Sequence, residues 1–309
     1  MTTISRRHAL LAAAALPLAP TLAAFPAAAA APLQGPAQGA AFNRFRLGAF
    51  EVTVLLAGTR VSDKPQETFG LNASPEDFAA LSAAAFIPAD KTRNYFNPVL
   101  VNTGTELVLF DTGLEPEGIT AALAASGVTP DQIDVVVLTH MHGDHIGGLA
   151  GEAGVTFPNA RYVAGQVEFD FWAGQANEGF DAKMRPLAEK TTFIKADSPV
   201  VGGITGIEAF GHSPGHMAFL LESEGSRLVL TADTANHYIW SLARPDWEVR
   251  FDADKPAAAA TRKQLFGMIA AERMPFIGYH MPFPAVGFVE AQGDGFRYVP
   301  ASYQMMLDG

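Results

Sequence analysis

At 309 residues, with 49% hydrophobic and 17% charged residues, the chain has material for a substantial buried core and is too apolar to be disordered throughout. Its formal charge of −11 at pH 7 repels phosphate backbones, which argues against nucleic acid as a partner and otherwise favours solubility. It has no cysteine, so no disulfide framework holds it, and stability must come first from core packing.

Residues 1–31 read as an export signal that is cleaved on maturation. Ser5, Arg6 and Arg7 precede an Ala/Leu-rich run, and residues 27–31 supply small side chains in an A-x-A pattern. S-R-R-x-x-L is similar to a twin-arginine signal, although Ala9 stands where a larger apolar residue is usual. Prolines 17, 20 and 26 interrupt the apolar run, and no later stretch approaches the ~20 apolar residues that spanning needs, so no stable membrane anchoring is expected. The expectation is a periplasmic or secreted protein in which residues 32–309 form one domain.

From Phe42 onward, β-rich runs alternate with helix-like segments. Strands are expected at 50–56, 98–103, 106–111, 134–139, 161–164, 217–222, 227–232 and 276–280. The loops GT and SEGS mark two of the connections as hairpins. Helices are expected at 75–85, 116–126, 166–175, 180–190 and 256–272, the first capped by Ser74 with Pro75 at its first position. Hairpins mixed with helices imply an α/β sandwich whose sheets are covered by helices.

THMHGDHIGG, residues 139–148, gathers three of the chain's eight histidines and one aspartate. It follows the run DVVVLT, so it sits in a strand-to-helix turn at the end of a sheet, where α/β proteins commonly place active sites. From an extended turn His140 and His142 point the same way, while Asp144 and His145 face elsewhere; one turn can serve two metal positions. Gly143 permits the tight geometry between them. Imidazole and carboxylate together suit zinc and other first-row ions. Further ligands should also stand at strand ends. His216 precedes MAFLLE, Asp233 ends RLVLTA and His280 ends FIGYH.

THMHGDH, GHSPGH, TAD and GYH, in this order, resemble the metallo-β-lactamase fold superfamily over essentially the whole mature chain. LVNTGTELVLFDTG, FPNA, DFW, HMPFP and GFRYVPASY are similar to the methyl parathion hydrolase branch, with Gly143 where that branch has proline. The resemblance implies an αββα sandwich with a dinuclear site at one edge of the sheets. It implies that His140, His142 and His216 bind one ion, that Asp144, His145 and His280 bind the second, and that Asp233 bridges them. Asp111 in FDTG resembles an aspartate that orients a ligand histidine. The ions implied are zinc, with manganese, cobalt or iron as alternatives, and the assembly implied is a homodimer.

Two such ions supply a nucleophilic water at neutral pH and polarise the oxygen under attack, with Asp144 or Asp233 passing the proton. No G-x-S-x-G elbow suggests a serine mechanism. Trp172, resembling a pocket tryptophan of the branch, is expected to line an apolar mouth for a small uncharged substrate, together with Phe171, Phe180, His237 and Tyr238. The reading is a lactone or carboxylic ester hydrolase, foremost an acyl-homoserine lactone lactonase active in quorum quenching, with accompanying arylesterase and phosphotriesterase activity. A tyrosine common in such lactonases three residues after the bridging aspartate is Asn236 here. The alternatives are a dedicated organophosphorus hydrolase and an exported zinc-binding protein without catalysis.

Overall fold

The computed structural model describes residues 39–307. The expected export signal, residues 1–31, lies outside the described residues. Two seven-stranded sheets dominate, and in each the strands lie side by side in chain order. The first holds Phe42–Leu47, Phe50–Leu55, Val99–Asn102, Leu107–Phe110, Val135–Leu138, Arg161–Gly165 and Thr191–Ile194. Its first four strands pair antiparallel and its last four parallel. The second holds Pro199–Val201, Ile204–Glu208, Met217–Ser223, Ser226–Ala232, Phe276–Gly278, Val286–Gln292 and Gly295–Pro300. It is antiparallel except where Ser226–Ala232 meets Phe276–Gly278, the pair joined across the helix Lys255–Glu272.

Side-chain alternation explains the layering. Val135 and Val137 point into the core that the two sheets share, while Val136 and Leu138 point to the other face, against Ile119 and Leu123 of the helix Pro116–Ser126. Val108 and Phe110 against Leu109 repeat the division, as do Val99 and Val101 against Leu100. A slip of one residue would exchange the faces of every such strand. Burying each of these side chains contributes about 1.5–3 kcal/mol, so both faces hold the register. On the second sheet, Phe266 of the long helix meets Phe276 at 5.3 Å and Phe296 at 6.0 Å. The order is helix, sheet, sheet, helix, as the sequence implied.

Four of the five expected helices lie within a residue or two of their expected spans. Ser74 caps Pro75–Ala84 by accepting from Asp77 N–H at 3.0 Å. The helix expected over 180–190 divides instead: Glu178–Lys183 is α-helical and Arg185–Lys190 is a 3-10 helix. Pro186 has no N–H to continue an α-helical ladder, which accounts for the break. A hairpin outside both sheets, Gly58–Asp63 with Lys91–Phe96, was not expected and stands over one end of the sandwich.

Candidate metal centre

The parallel strands Leu107–Phe110 and Val135–Leu138 stop together at Asp111 and Thr139. Asp111, buried and at φ 58°, accepts from Thr139 N–H at 2.9 Å, from Thr139 Oγ–H at 2.8 Å and from His145 Nδ1–H at 2.8 Å. This fixes the tautomer of His145 and leaves its Nε2 free. His142, extended at ψ 154°, then caps the short helix Gly143–Ile146, which turns Asp144 and His145 away from the preceding histidines.

Two outer groups of ligand atoms result, joined through a middle one of His140, His145 and Asp233. His140 Nε2 and His142 Nδ1 lie 2.9 Å apart, and the third member beside them is His212, whose Nε2 is 3.0 Å from His142 Nδ1. Asp144, His145 and His280 make the second group. His280 is aimed by its Nδ1–H, which donates to Tyr95 O at 2.8 Å. Asp233 stands between the groups. Its Oδ1 is 3.3 Å from His145 Nε2, and its Oδ2 is 3.3 Å from His212 Nε2 and 3.0 Å from His280 Nε2.

His212 replaces His216 in the expected ligand set. His216 Nδ1–H donates to Ala209 O at 3.1 Å, and its Nε2 accepts from Asp233 N–H at 3.0 Å. Both ring nitrogens are spent on backbone, so His216 supports the loop that presents Asp233. His212 has the ligand's arrangement instead: Nδ1–H donates to buried Asp252 at 2.8 Å and Nε2 points into the cluster. Asp252 is in turn held by the buried Arg262 guanidinium at 3.0 Å. The Asp252–Arg262 pair went unrecognised in the sequence, since neither residue lies near a motif.

The electrostatics suit a cation. Burial holds His140 well below the ordinary imidazole value, reinforced by His145 and His142. Burial and His212 bring His142 down to about 3. Burial also acts on His145 and His280, but there Asp233 and its neighbouring carboxylates outweigh it and hold both imidazoles above their usual value. Burial opposes ionisation of Asp233, yet His280 and His145 keep its carboxyl well below the carboxylate range. His145 Nε2 and Asp233 Oδ1 are buried without a hydrogen-bond partner. Orphaned atoms of this kind cost about 1–3 kcal/mol each. Two unpartnered lone-pair atoms facing each other, beside three imidazole nitrogens that cannot all satisfy one another, fit divalent metal.

Beside the cluster opens a cavity of about 470 Å³. Pro65, Phe69, Phe96, Leu114 and Phe251 give it an apolar wall. The overhanging hairpin gives it a polar one, because the cross-strand pairs Arg60–Asn94 and Ser62–Thr92 turn one face toward it. The expected pocket residues are placed elsewhere. Trp172 sits edge-on to His142 at 5.8 Å, behind the ligand rather than in the cavity. Phe171 packs edge-on to Trp172 at 5.7 Å, and Phe180 is fully buried against Phe169. His237 stacks on Trp240 at 3.9 Å, its Nδ1 accepting from Ile239 and Trp240 N–H, and burial lowers it to about 3. Tyr238 packs on Tyr298. Helical and strand spacing cannot separate an aromatic of the core from one that lines a cavity.

The family model described as the metallo-beta-lactamase superfamily matches residues 95–271, and the chain belongs to that superfamily. It is 31% identical over 136 residues to the N-acyl homoserine lactonase AttM of Azorhizobium caulinodans, a match covering 39% of this chain and 48% of that one. The match thus spans about half the length of that curated relative. The fold superposes with a TM-score of 0.79 on AidC, a dizinc quorum-quenching lactonase in complex with a product, at 24% identity over 85% of this chain and 98% of that one. A second structure, the hydrolase AbOPH in the beta lactamase superfamily, also gives 0.79, at 23% identity over 87% of this chain and 100% of that one. The cluster of histidines and aspartates described above thus lies in a chain of that superfamily, with ligand groups able to hold metal.

Proposed function

We propose that the protein is a metal-dependent hydrolase, a dinuclear zinc lactonase that opens acyl-homoserine lactones. The observation that carries the reading is the pair of ligand groups meeting at Asp233, beside a cavity with one apolar and one polar wall. His140, His142 and His212 would hold one ion, Asp144, His145 and His280 the other, with Asp233 between the two groups. When bound, the ions supply Lewis acidity toward a carbonyl oxygen and lower the pKa of water at the centre.

The chain's own groups do the rest. Asp233 Oδ2 is engaged by His212, His280 and Asn236 Nδ2–H and is buried, so it is poorly placed to carry a proton outward. Asp144 keeps 24% of its side chain exposed and borders the cavity, so the shuttle is assigned to it. Asp144 takes the proton as water attacks the lactone carbonyl, and returns it to the ring oxygen as the acyl C–O bond breaks. The apolar wall takes an acyl chain, and the donors of Arg60 and Asn94 meet amide or lactone oxygens. Asn236 spends its amide on Asp233, so these hairpin donors supply what a tyrosine at that position would.

The relative named as a lactonase supports this substrate class. An exported enzyme would meet diffusible signals outside the cytosol, and we include export by the twin-arginine route, and a homodimer, in the proposal. Neutral aryl esters and phosphotriesters also fit the site as secondary substrates. The test is kcat/KM for a medium-chain acyl-homoserine lactone, a phenyl ester and a methyl phosphotriester on the mature, zinc-reconstituted protein. Lactone turnover well above the others is expected. A dominant phosphotriester would overturn the lactonase reading, and no turnover of any ester by the loaded protein would leave only metal binding.

A further inference from the structure

Glu168 lies in the first turn of the helix Gln166–Ala173, 1% exposed, and touches neither the cavity nor the ligand atoms. Its carboxylate accepts four hydrogen bonds, two at each oxygen. Oε1 takes Met141 N–H at 3.0 Å and Trp172 Nε1–H at 2.7 Å. Oε2 takes Ser213 Oγ–H at 2.6 Å and Gly215 N–H at 2.8 Å.

All four donors belong to the surroundings of two ligands. Met141 is the residue between His140 and His142. Trp172 is the indole that stands edge-on to His142. Ser213 follows His212, and Gly215 completes the turn after it. Gly215 is needed for the approach, because a Cβ there would fall on the Glu168 backbone nitrogen. One buried carboxylate therefore ties the turn that carries His142 to the turn that carries His212, two segments 70 residues apart whose ring nitrogens lie 3.0 Å from each other.

We infer that Glu168 is a positioning residue that presets the His140, His142 and His212 group for its metal. A carboxylate is required because every partner is a donor. An amide could accept at one oxygen only, and its NH2 would oppose two donors. The negative charge adds a field that favours a cation nearby. The inference does not depend on which ester the enzyme cleaves.

The test is metal binding by Glu168→Gln, Ser213→Ala and Trp172→Phe, with circular dichroism as the check of folding. Metal-free protein is titrated with zinc against a chromophoric chelator, and with cobalt(II) for its ligand-field spectrum. Glu168→Gln is expected to weaken one of the two metal equivalents by roughly tenfold or more and to change the cobalt spectrum, while the other equivalent keeps its affinity. Ser213→Ala and Trp172→Phe each remove one of four donors and should weaken the same equivalent by less. A folded Glu168→Gln protein with wild-type zinc affinities and an unchanged cobalt spectrum overturns the inference. If Glu168→Gln does not fold, wild-type affinity in both of the other variants overturns it equally.

Discussion

His212 and His216 sit four residues apart in GHSPGH, and their environments require opposite responses to substitution. His212→Ala removes one of three imidazole donors from its group and leaves Asp252 still paired with Arg262. The variant should bind one ion firmly instead of two. Losing an ion forfeits several kcal/mol of transition-state stabilisation, and ~3 kcal/mol corresponds to roughly 10²-fold in kcat/KM. His216→Leu keeps the volume but strands Asp233 N–H and Ala209 O in the interior. Each stranded group costs about 1–3 kcal/mol, so the loss of stability is roughly 2–6 kcal/mol. That corresponds to a fall in Tm on the order of 10 °C for a domain of this size. Metal content by mass spectrometry and thermal unfolding of the metal-free proteins separate the two outcomes. The reasoning is refuted if His216→Leu loses an ion at wild-type Tm while His212→Ala retains both.

Three further outcomes are expected. Asp144→Asn should lower kcat by about 10²–10⁴-fold with little change in Tm, since the side chain is partly exposed; steady-state kinetics on the metal-replete variant check this, and full activity would remove Asp144 from the proton path. Gly215→Ala forces a Cβ into the Glu168 backbone and should destabilise by about 1–3 kcal/mol, read as a lower midpoint in urea. Metal binding should release protons near neutral pH. His145 and His280 are held above the ordinary imidazole value by Asp233 and its neighbours against burial, and must lose their protons to ligate, whereas His140 and His142 are already neutral. Affinity therefore rises with pH until it passes the raised values. In the metal-free protein the same two imidazoles stabilise the fold fully below about 6.5, and that contribution fades as pH climbs through their folded values. Titration calorimetry in buffers of different ionisation enthalpy measures the release; identical heats in all of them would contradict it.

The sandwich was legible because its strands alternate so consistently: Val135 to Leu138 has two faces that both need covering, and only a layered fold provides this. The THMHGDH turn was legible because it gathers three of only eight histidines in the chain. What stayed hidden depends on direction rather than identity. Both histidines of GHSPGH are the right residue for a ligand. The deciding facts are the close approach of Gly215 to Glu168 and the backbone partners of His216, which no spacing encodes. Asp252 and Arg262 were invisible for the same reason, since Asp252 reaches His212 from a loop 40 residues downstream and Arg262 reaches only Asp252, from the helix beyond. The hairpin Gly58–Asp63 with Lys91–Phe96 is polar along the face it turns to the cavity, so it lacked the apolar alternation that marks a half-buried strand.

The ligand groups draw His140, His142, Asp144 and His145 from the first sheet and His212, Asp233 and His280 from the second. An ion held jointly by both would be a crosslink between chain segments as far apart as residues 144 and 280 in a protein without a cysteine. Closing so long a loop is entropically costly for the unfolded chain, and a bond present only in the folded state favours that state by mass action. The centre is thereby a fastener as well as a reactive site. Stripping the ions should lower the temperature at which the sandwich unfolds.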